Sequence, residues 1–320
     1  MLRKTLQRAQ LAIVTLAAPL FTMGYASGLE ITGLDGSVTA LAFAPDGKIL
    51  AAADGGFDLS LWDAATGSRK TKLTGLASGT GRVCWAPDGK SIYGTTGNDW
   101  IAWDTSTGKE RLKVKAEMTR TAPSAIALSA DGKVLAAVGR GVVKFWNTGT
   151  GAALGEHEAH PNYAINSVAF SPDGRFAVTT SNDRTAQLTA TTGGAAGTTF
   201  KCGNRVVAAE FSPDGRTLFV ADQAPSLHQF DVATGEDQPA PPMSRAAKQI
   251  AVSSDGGLVA CAASSLELWS RTEKRWRETR LENSAGATAV AFSHDGRFLA
   301  CGDMEGRIHV WLVNDLLGKK

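Results

Sequence analysis

Little in this sequence announces catalysis. It has no Gly-x-Ser-x-Gly elbow to present a seryl nucleophile, no Walker loop to cradle phosphates and no complete Gly-x-Gly-x-x-Gly turn. Gly139-Arg140-Gly141 starts the last pattern but runs on into Val142, Val143 and Lys144, which read as a strand. An excess of one charge is missing too. The 33 basic residues nearly balance the 31 acidic ones, which excludes the broad basic surface of a nucleic-acid binder. The apolar stretch from Ala9 to Met23 falls short of the ~20 residues that span a bilayer. Cysteine is scarce: Cys84, Cys202, Cys261 and Cys301 are the full complement.

The first 26 residues stand apart. Arg3, Lys4 and Arg8 come without an acidic residue, the apolar stretch follows, and Gly24-Tyr25-Ala26 closes it. A basic start, an apolar middle and small residues at the end make a secretory signal peptide, with removal expected after Ala26. The alternative is an uncleaved N-terminal anchor. No cysteine follows the run, so a lipid anchor has no support. The expected organisation is a signal peptide over 1–26 and one domain over 27–320. The mature chain, without a membrane span, would be exported to a periplasm or secreted.

What is present is a repeat. Val168-Ala-Phe-Ser-Pro-Asp-Gly-Arg-Phe176 reads as a strand, a tight turn and a second strand: Pro172 presets φ, and Gly174 accepts the left-handed backbone that closes the turn. Related stretches carry Asp46, Asp88, Asp131, Asp173, Asp214, Asp255 and Asp295, at spacings of 40 to 43 residues. A second landmark lies 14 to 16 residues after each aspartate: Leu-Trp-Asp ending at Asp63, Ala-Trp-Asp at Asp104, Phe-Trp-Asn at Asn147, Leu-Thr-Ala at Ala190, Gln-Phe-Asp at Asp231, Leu-Trp-Ser at Ser270 and Val-Trp-Leu at Leu312. Four short strands per repeat, separated by turn residues, describe a β-propeller blade. The 294 residues after Ala26 suffice for seven blades and leave no room for a second domain.

Here the sequence resembles the WD40 family, over roughly residues 29 to 313. The pairs Trp62-Asp63 and Trp103-Asp104 carry the resemblance, with the near-matches Trp146-Asn147, Phe230-Asp231, Trp269-Ser270 and Trp311-Leu312. The resemblance implies an all-β, seven-bladed propeller of four-stranded antiparallel blades. The last blade would be closed by the N-terminal strand near Gly28 to Thr32, which removes a free sheet edge. It also implies a structural network of a His before the first strand, an Asp in the turn after the second and the third-strand Trp. His160 and Asp183 fit two of these places, while Thr189 stands where the Trp belongs. The stretch His157-Glu158-Ala159-His160 offers two imidazoles in a loop but no third metal ligand, so His160 is read as structural. Asp54-Gly-Gly-Phe-Asp58 resembles a fragment of a calcium loop without its later ligands and is read as a solvated turn.

Cys261 and Cys301 occupy equivalent places on neighbouring blades, roughly 10 Å apart and beyond the ~7 Å limit for a disulfide. They and Cys84 read as small buried side chains, and Cys202 as the most exposed of the four. Alternating Lys and Arg in the outer strands, such as Arg69 with Lys72 and Lys113 with Lys115, read as edges charged against aggregation.

Two functions remain open. One is a monomeric, non-enzymatic scaffold that binds another protein through its loops and needs no cofactor. The other is an exported propeller enzyme, lactonase- or hydrolase-like, with a site in the central channel. First strands such as Ala-Leu-Ala-Phe and Ala-Val-Ala-Phe offer the channel almost no acid or imidazole; Glu210 is the exception. That favours the scaffold. Its docking face is expected on the top, where the loops before the first strand and between the second and third strands meet. Asp54, Asp58, Asp99, Asp303 and Glu305 would form an acidic sector there. Arg120, Arg140, Arg184, Arg205, Arg245 and Lys248 would form a basic one, with Trp100, Met118, Tyr163 and Met243 as anchors.

Overall fold

The computed structural model describes residues 28–318, apart from 75, 77–81, 119–120, 193–195, 273–274 and 282–285. The expected signal peptide and Arg120 lie outside the described residues.

Seven four-stranded antiparallel sheets form a β-propeller. Blade 1 comprises Val38–Phe43, Ile49–Asp54, Leu59–Asp63 and Arg69–Leu73. Blade 2 comprises Val83–Trp85, Ser91–Thr96, Asp99–Asp104 and Glu110–Lys115. Blade 3 follows with Ala125–Leu128, Val134–Val138, Val142–Asn147 and Ala153–Glu158, and blade 4 with Ile165–Phe170, Phe176–Ser181, Thr185–Ala190 and Ala196–Lys201. Blade 5 ends on the short strand Asp237–Gln238 after Val206–Phe211, Thr217–Asp222 and Leu227–Asp231. Blade 6 holds Gln249–Val252, Leu258–Ala262, Leu266–Thr272 and Arg275–Leu281. Blade 7 supplies Ala287–Phe292, Phe298–Asp303 and Ile308–Leu312 and takes its outer strand, Leu29–Ile31, from the other end of the chain. The register is Leu29 opposite Val310, Glu30 opposite His309 and Ile31 opposite Ile308.

Local chemistry explains both recurring turns. Gly174 adopts φ 69° and donates to the Ser171 carbonyl at 2.8 Å. Ser171 Oγ donates to Asp173 Oδ1 at 2.6 Å, and the same oxygen accepts the Arg175 N–H at 3.0 Å. This Ser–Asp brace recurs at Ser129–Asp131, Ser212–Asp214, Ser253–Asp255 and Ser293–Asp295. The seryl hydrogen bond holds the Asp131, Asp173 and Asp214 carboxyls below the usual carboxylate range. Where an aspartate follows the third-strand aromatic, at Asp63, Asp104 and Asp231, it caps the next turn in the same manner. Asp104 Oδ1 accepts from the Ser106 hydroxyl at 2.6 Å and from the Thr107 N–H at 2.9 Å, which draws its pKa down to about 2.

Seven hydrophobic clusters lie one to each junction between neighbouring blades. Their second strands are small and fully buried, as at Ala51, Ala52 and Ala53 or Ala136 and Ala137. The tightest approach is where the ring closes: a Cβ on Gly302 of blade 7 would lie 2.4 Å from Val38 of blade 1. Trp103 Nε1 donates to the Thr74 carbonyl at 2.6 Å, but Trp62 Nε1 and Trp269 Nε1 are buried without a hydrogen-bond partner. Phe230 and Trp311 are likewise buried. These third-strand anchors act chiefly through apolar volume.

Two expectations need correction. His157 and Glu158 belong to the outer strand of blade 3 rather than a loop, because Val142 and Val143 extend the ladder to pair with them. Cys84 is half-buried, packed on the cluster between blades 2 and 3 while also lining the central channel, rather than fully enclosed between sheets. Cys202 is half-buried against the cluster between blades 4 and 5, and all four cysteines are free.

Ile31 is 2% exposed and joins the cluster that seals blade 7 to blade 1. Ile31→Ala is expected to cost about 2–4 kcal/mol in chemical denaturation, as a buried aliphatic truncation does. Glu30→Ala, on the exposed face of the same strand, is expected to stay within about 0.5 kcal/mol of the parent.

Candidate functional site

Two regions concentrate chemistry: the central channel and the top loops. The channel encloses about 740 Å³. The residue four places before each Asp-Gly aspartate faces it, one per blade: Ala42, Cys84, Ala127, Ala169, Glu210, Ala251 and Ala291. Five alanines, a thiol and a single carboxyl thus form one ring. Next along the strands lie Phe43, Trp85, Leu128, Phe170, Val252 and Phe292, an apolar collar. Arg82 and Gln249 line the channel just before the first strands of their blades or at their start, and His294 lines it beyond their far end.

Arg82 belongs to blade 2 and Glu210 to blade 5, three blades apart in a ring of seven, so their charges face each other across the channel. Burial pushes the Glu210 carboxyl up to about 7, and the Arg82 charge offsets only part of that rise. Burial likewise lowers the Arg82 pKa, and Glu210 partly restores it; the guanidinium stays charged at neutral pH. No hydrogen bond or ion pair to Arg82 is found among the described residues. The Cys84 thiol is pushed up to about 12 by burial and remains neutral. Glu210 was visible in the sequence as the exception among the first strands. Arg82 was missed, and its offset of six residues from Asp88 was the available signal.

His160 is 1% exposed, between Asp183 Oδ2 (2.7 Å from Nδ1) and Thr179 Oγ1 (2.9 Å from Nε2). Thr185 Oγ1 donates to the other Asp183 oxygen at 2.7 Å. The expected His160–Asp183 contact is therefore present, and Thr179 completes it. Thr189, in the tryptophan's place, is buried with its hydroxyl unpartnered.

The top is less acidic than the sequence suggested. Asp54 and Asp303 are the last residues of second strands and are buried. Asp54 accepts the N–H groups of Asp35 and Asp58, both at 2.9 Å, and is a turn cap with no ligand role among these contacts. Asp303 accepts those of Glu305 and Arg307 at 2.8 and 2.9 Å. The remaining acids are paired: Asp58 with Lys72, Asp99 with Lys113 at 3.4 Å, and Glu305 with Arg307. The opposite arc differs. Arg140, Arg184, Arg205 and Arg245 are exposed on blades 3 to 6, and no ion pair involves them among the described residues. Arg184 is held at φ 72°, a conformation that costs energy outside glycine.

The anchors also change. Trp100 is 0% exposed, its ring 6.2 Å from Tyr93 and 6.3 Å from Trp146. It belongs to the junction of blades 2 and 3 and presents nothing to a partner. Met243 is buried and Met118 packs against the same junction as Trp100. Tyr163 is 50% exposed. Sequence reasoning missed Phe57 and Met304, 55% and 57% exposed in the top turns of blades 1 and 7. Phe57 sits at φ 69°, and this left-handed turn turns its ring outward.

Residues 83–299 match the family described as SMP-30/Gluconolactonase/LRE-like region. Residues 28–63 match the WD domain, G-beta repeat. Nuclear distribution protein PAC1 of Arthroderma benhamiae is 29% identical over 187 residues, 48% of this chain and 40% of that protein. Protein tipD of Dictyostelium discoideum is 31% identical over 81 residues, 25% of this chain and 13% of its own length. The 66 kDa stress protein of Physarum polycephalum is 33% identical over 89 residues, 27% of this chain and 14% of that one. The chain thus spans well under half the length of these relatives. Among the described residues no group of three or more His, Cys, Asp or Glu is placed to hold a metal, and no helix is long and apolar enough to cross a membrane.

Because the folded Glu210 pKa lies above its unfolded value, its ionisation destabilises the fold. Stability is complete below about pH 4 for this group, falls as pH rises toward 7 and is level above that. Glu210→Gln is therefore expected to melt like the parent near pH 4 and to be more stable at pH 8. The gain should be on the order of 1–2 kcal/mol once channel water is allowed for. Thermal melts at both pH values check this.

Proposed function

We propose a function from one premise: the chain belongs to the SMP-30/Gluconolactonase/LRE-like family, and its residues 28–63 match a WD repeat. It acts as a non-enzymatic scaffold that receives an acidic protein surface on its top face. The observation that supports this best is the arc of Arg140, Arg184, Arg205 and Arg245, exposed on consecutive blades beside Tyr163. Exposed arginines, without an ion pair among the described residues and near an exposed aromatic, are of the kind that dominates binding hot spots. The WD repeats agree with this reading, as does the likeness to nuclear distribution protein PAC1. Arg120, in the same arc by sequence, and Asp99, held by Lys113, complete the proposed rim.

Charge reversal tests the face. Arg140→Glu with Arg184→Glu is expected to slow association with a partner captured from an envelope extract, on the order of tenfold at low salt and less at high salt, with folding unchanged. Lys90→Glu with Lys133→Glu, in the Asp-Gly turns of the opposite face, is expected to leave association unchanged. The reverse pattern moves the site to that face.

We also propose that the scaffold works in or beyond the cell envelope, on the strength of the basic, apolar and small-residue order of residues 1–26. Protein isolated from its host should then begin at or near Ser27, read by N-terminal sequencing; soluble protein that retains Met1 contradicts it.

A second reading, a channel enzyme of lactonase or hydrolase type, draws on the same family membership and on Glu210 opposite Arg82. Turnover of small lactones that disappears in Glu210→Gln supports it over the scaffold.

A further inference from the structure

A guanidinium held inside a protein without a partner is costly, and such a group recruits an anion when one can reach it. Arg82 is in that position. It lines the channel, half-buried, with no hydrogen bond or ion pair found among the described residues. Its surroundings are asymmetric along the channel: the alanine ring and then the collar of Phe43, Trp85, Phe170 and Phe292 lie on one side. An occupant is thus offered one fixed positive charge and an apolar sleeve. About 740 Å³ accommodates a molecule of drug-like size. Inorganic phosphate would satisfy the charge but leave the collar unfilled, and a neutral apolar molecule would do the opposite.

We propose that the central channel binds a small amphipathic organic acid, its carboxylate paired with Arg82 and its apolar body lying along the aromatic collar. Arg82 immediately precedes the first strand of blade 2, so the site opens toward the top end of the channel, and it is built from the channel's own lining rather than from the exposed arginine arc. Glu210 sets its pH response. Protonated, it removes the opposing negative charge and offers a donor across the channel; ionised, it competes for Arg82 and repels the ligand. The other groups that line the channel are few. The Cys84 thiol stays neutral, Gln249 carries no charge, and His294 is the remaining titratable side chain. Trp85 forms part of the wall, with its Nε1 tied to the Ala42 carbonyl at 3.0 Å, so a ligand-induced change in emission that is lost in Trp85→Phe reports occupancy.

The test titrates the full mature chain with 3-phenylpropionate, its primary amide and inorganic phosphate, by calorimetry and Trp85 emission. One saturable site is expected for 3-phenylpropionate, with the amide and phosphate each at least about tenfold weaker, since a hydrogen bond to a charged group is worth that much. Affinity should fall by up to about tenfold from pH 6 to pH 8 as Glu210 ionises. Arg82→Gln should abolish binding while the melting profile stays cooperative, and Arg82→Lys should retain part of it. Glu210→Gln should bind at pH 8 as the parent does at pH 6. Three results overturn the proposal: no saturable binding to the folded parent, undiminished binding by Arg82→Gln, or phosphate bound as tightly as 3-phenylpropionate. A pH dependence that persists in Glu210→Gln overturns the role given to Glu210.

Discussion

Close approach of neighbouring sheets through small side chains governs this molecule. The second strands are buried on both faces, and alanines such as Ala51, Ala52, Ala53, Ala136, Ala137 and Ala260 stand there without any exposure. Protein interiors tolerate little excess volume, so the size of these residues sets how tightly blades pack and hence how seven of them close. Gly302 against Val38 is the limiting case. The channel inherits its width from the same constraint. Its alanine ring is part of the packing, and the one carboxyl in that ring is an interruption of it.

The sequence made legible whatever depends on local chemistry. Asp-Gly turns and their period follow from residues within a few positions of each other, and the structure holds them as expected; that Asp63, Asp104 and Asp231 cap the next turn emerged from the structure. Even the closing strand followed, because a seven-fold period leaves the last sheet one strand short. Side-chain direction near strand ends was not legible. Trp100 reads as a loop residue beside Asp99, but the third strand begins at Asp99, and alternation then turns the indole inward. Asp54 and Asp303 failed for the same reason: each ends a second strand, and its carboxyl is consumed by the turn that follows. A one-residue error in a strand boundary reverses inside and outside. Arg82 lay hidden because it precedes a strand of only three residues, Val83–Trp85, too short for alternation to indicate which face is which.

Membership in a family says little about chemistry when the shared property is a ring of blades, because function depends on the groups a fold presents. Here those groups are sparse and unevenly placed. Acids on the top are spent on turn caps and on lysine partners. Arginines on blades 3 to 6 are not, and Arg82 is the comparable group inside. Among the described residues the molecule therefore presents positive charge in two places, one broad and exposed without an ion pair, one narrow and enclosed with only Glu210 across the channel from it.

The pairing of Leu29 with Val310 spans nearly the whole chain. During synthesis the closing strand is made before blade 1, and its partner only with blade 7. Every intermediate on the ribosome is an open arc with two raw sheet edges, and a segment waits beside it that no other blade can use in the same register. Contacts so distant in sequence form late, so the ring completes itself only once blade 7 has been made. A nascent chain stalled anywhere before blade 7 would expose Ile31 and the face of blade 1 meant to meet Gly302, which makes premature termination, more than point substitution, the event most prone to produce sticky fragments of this protein.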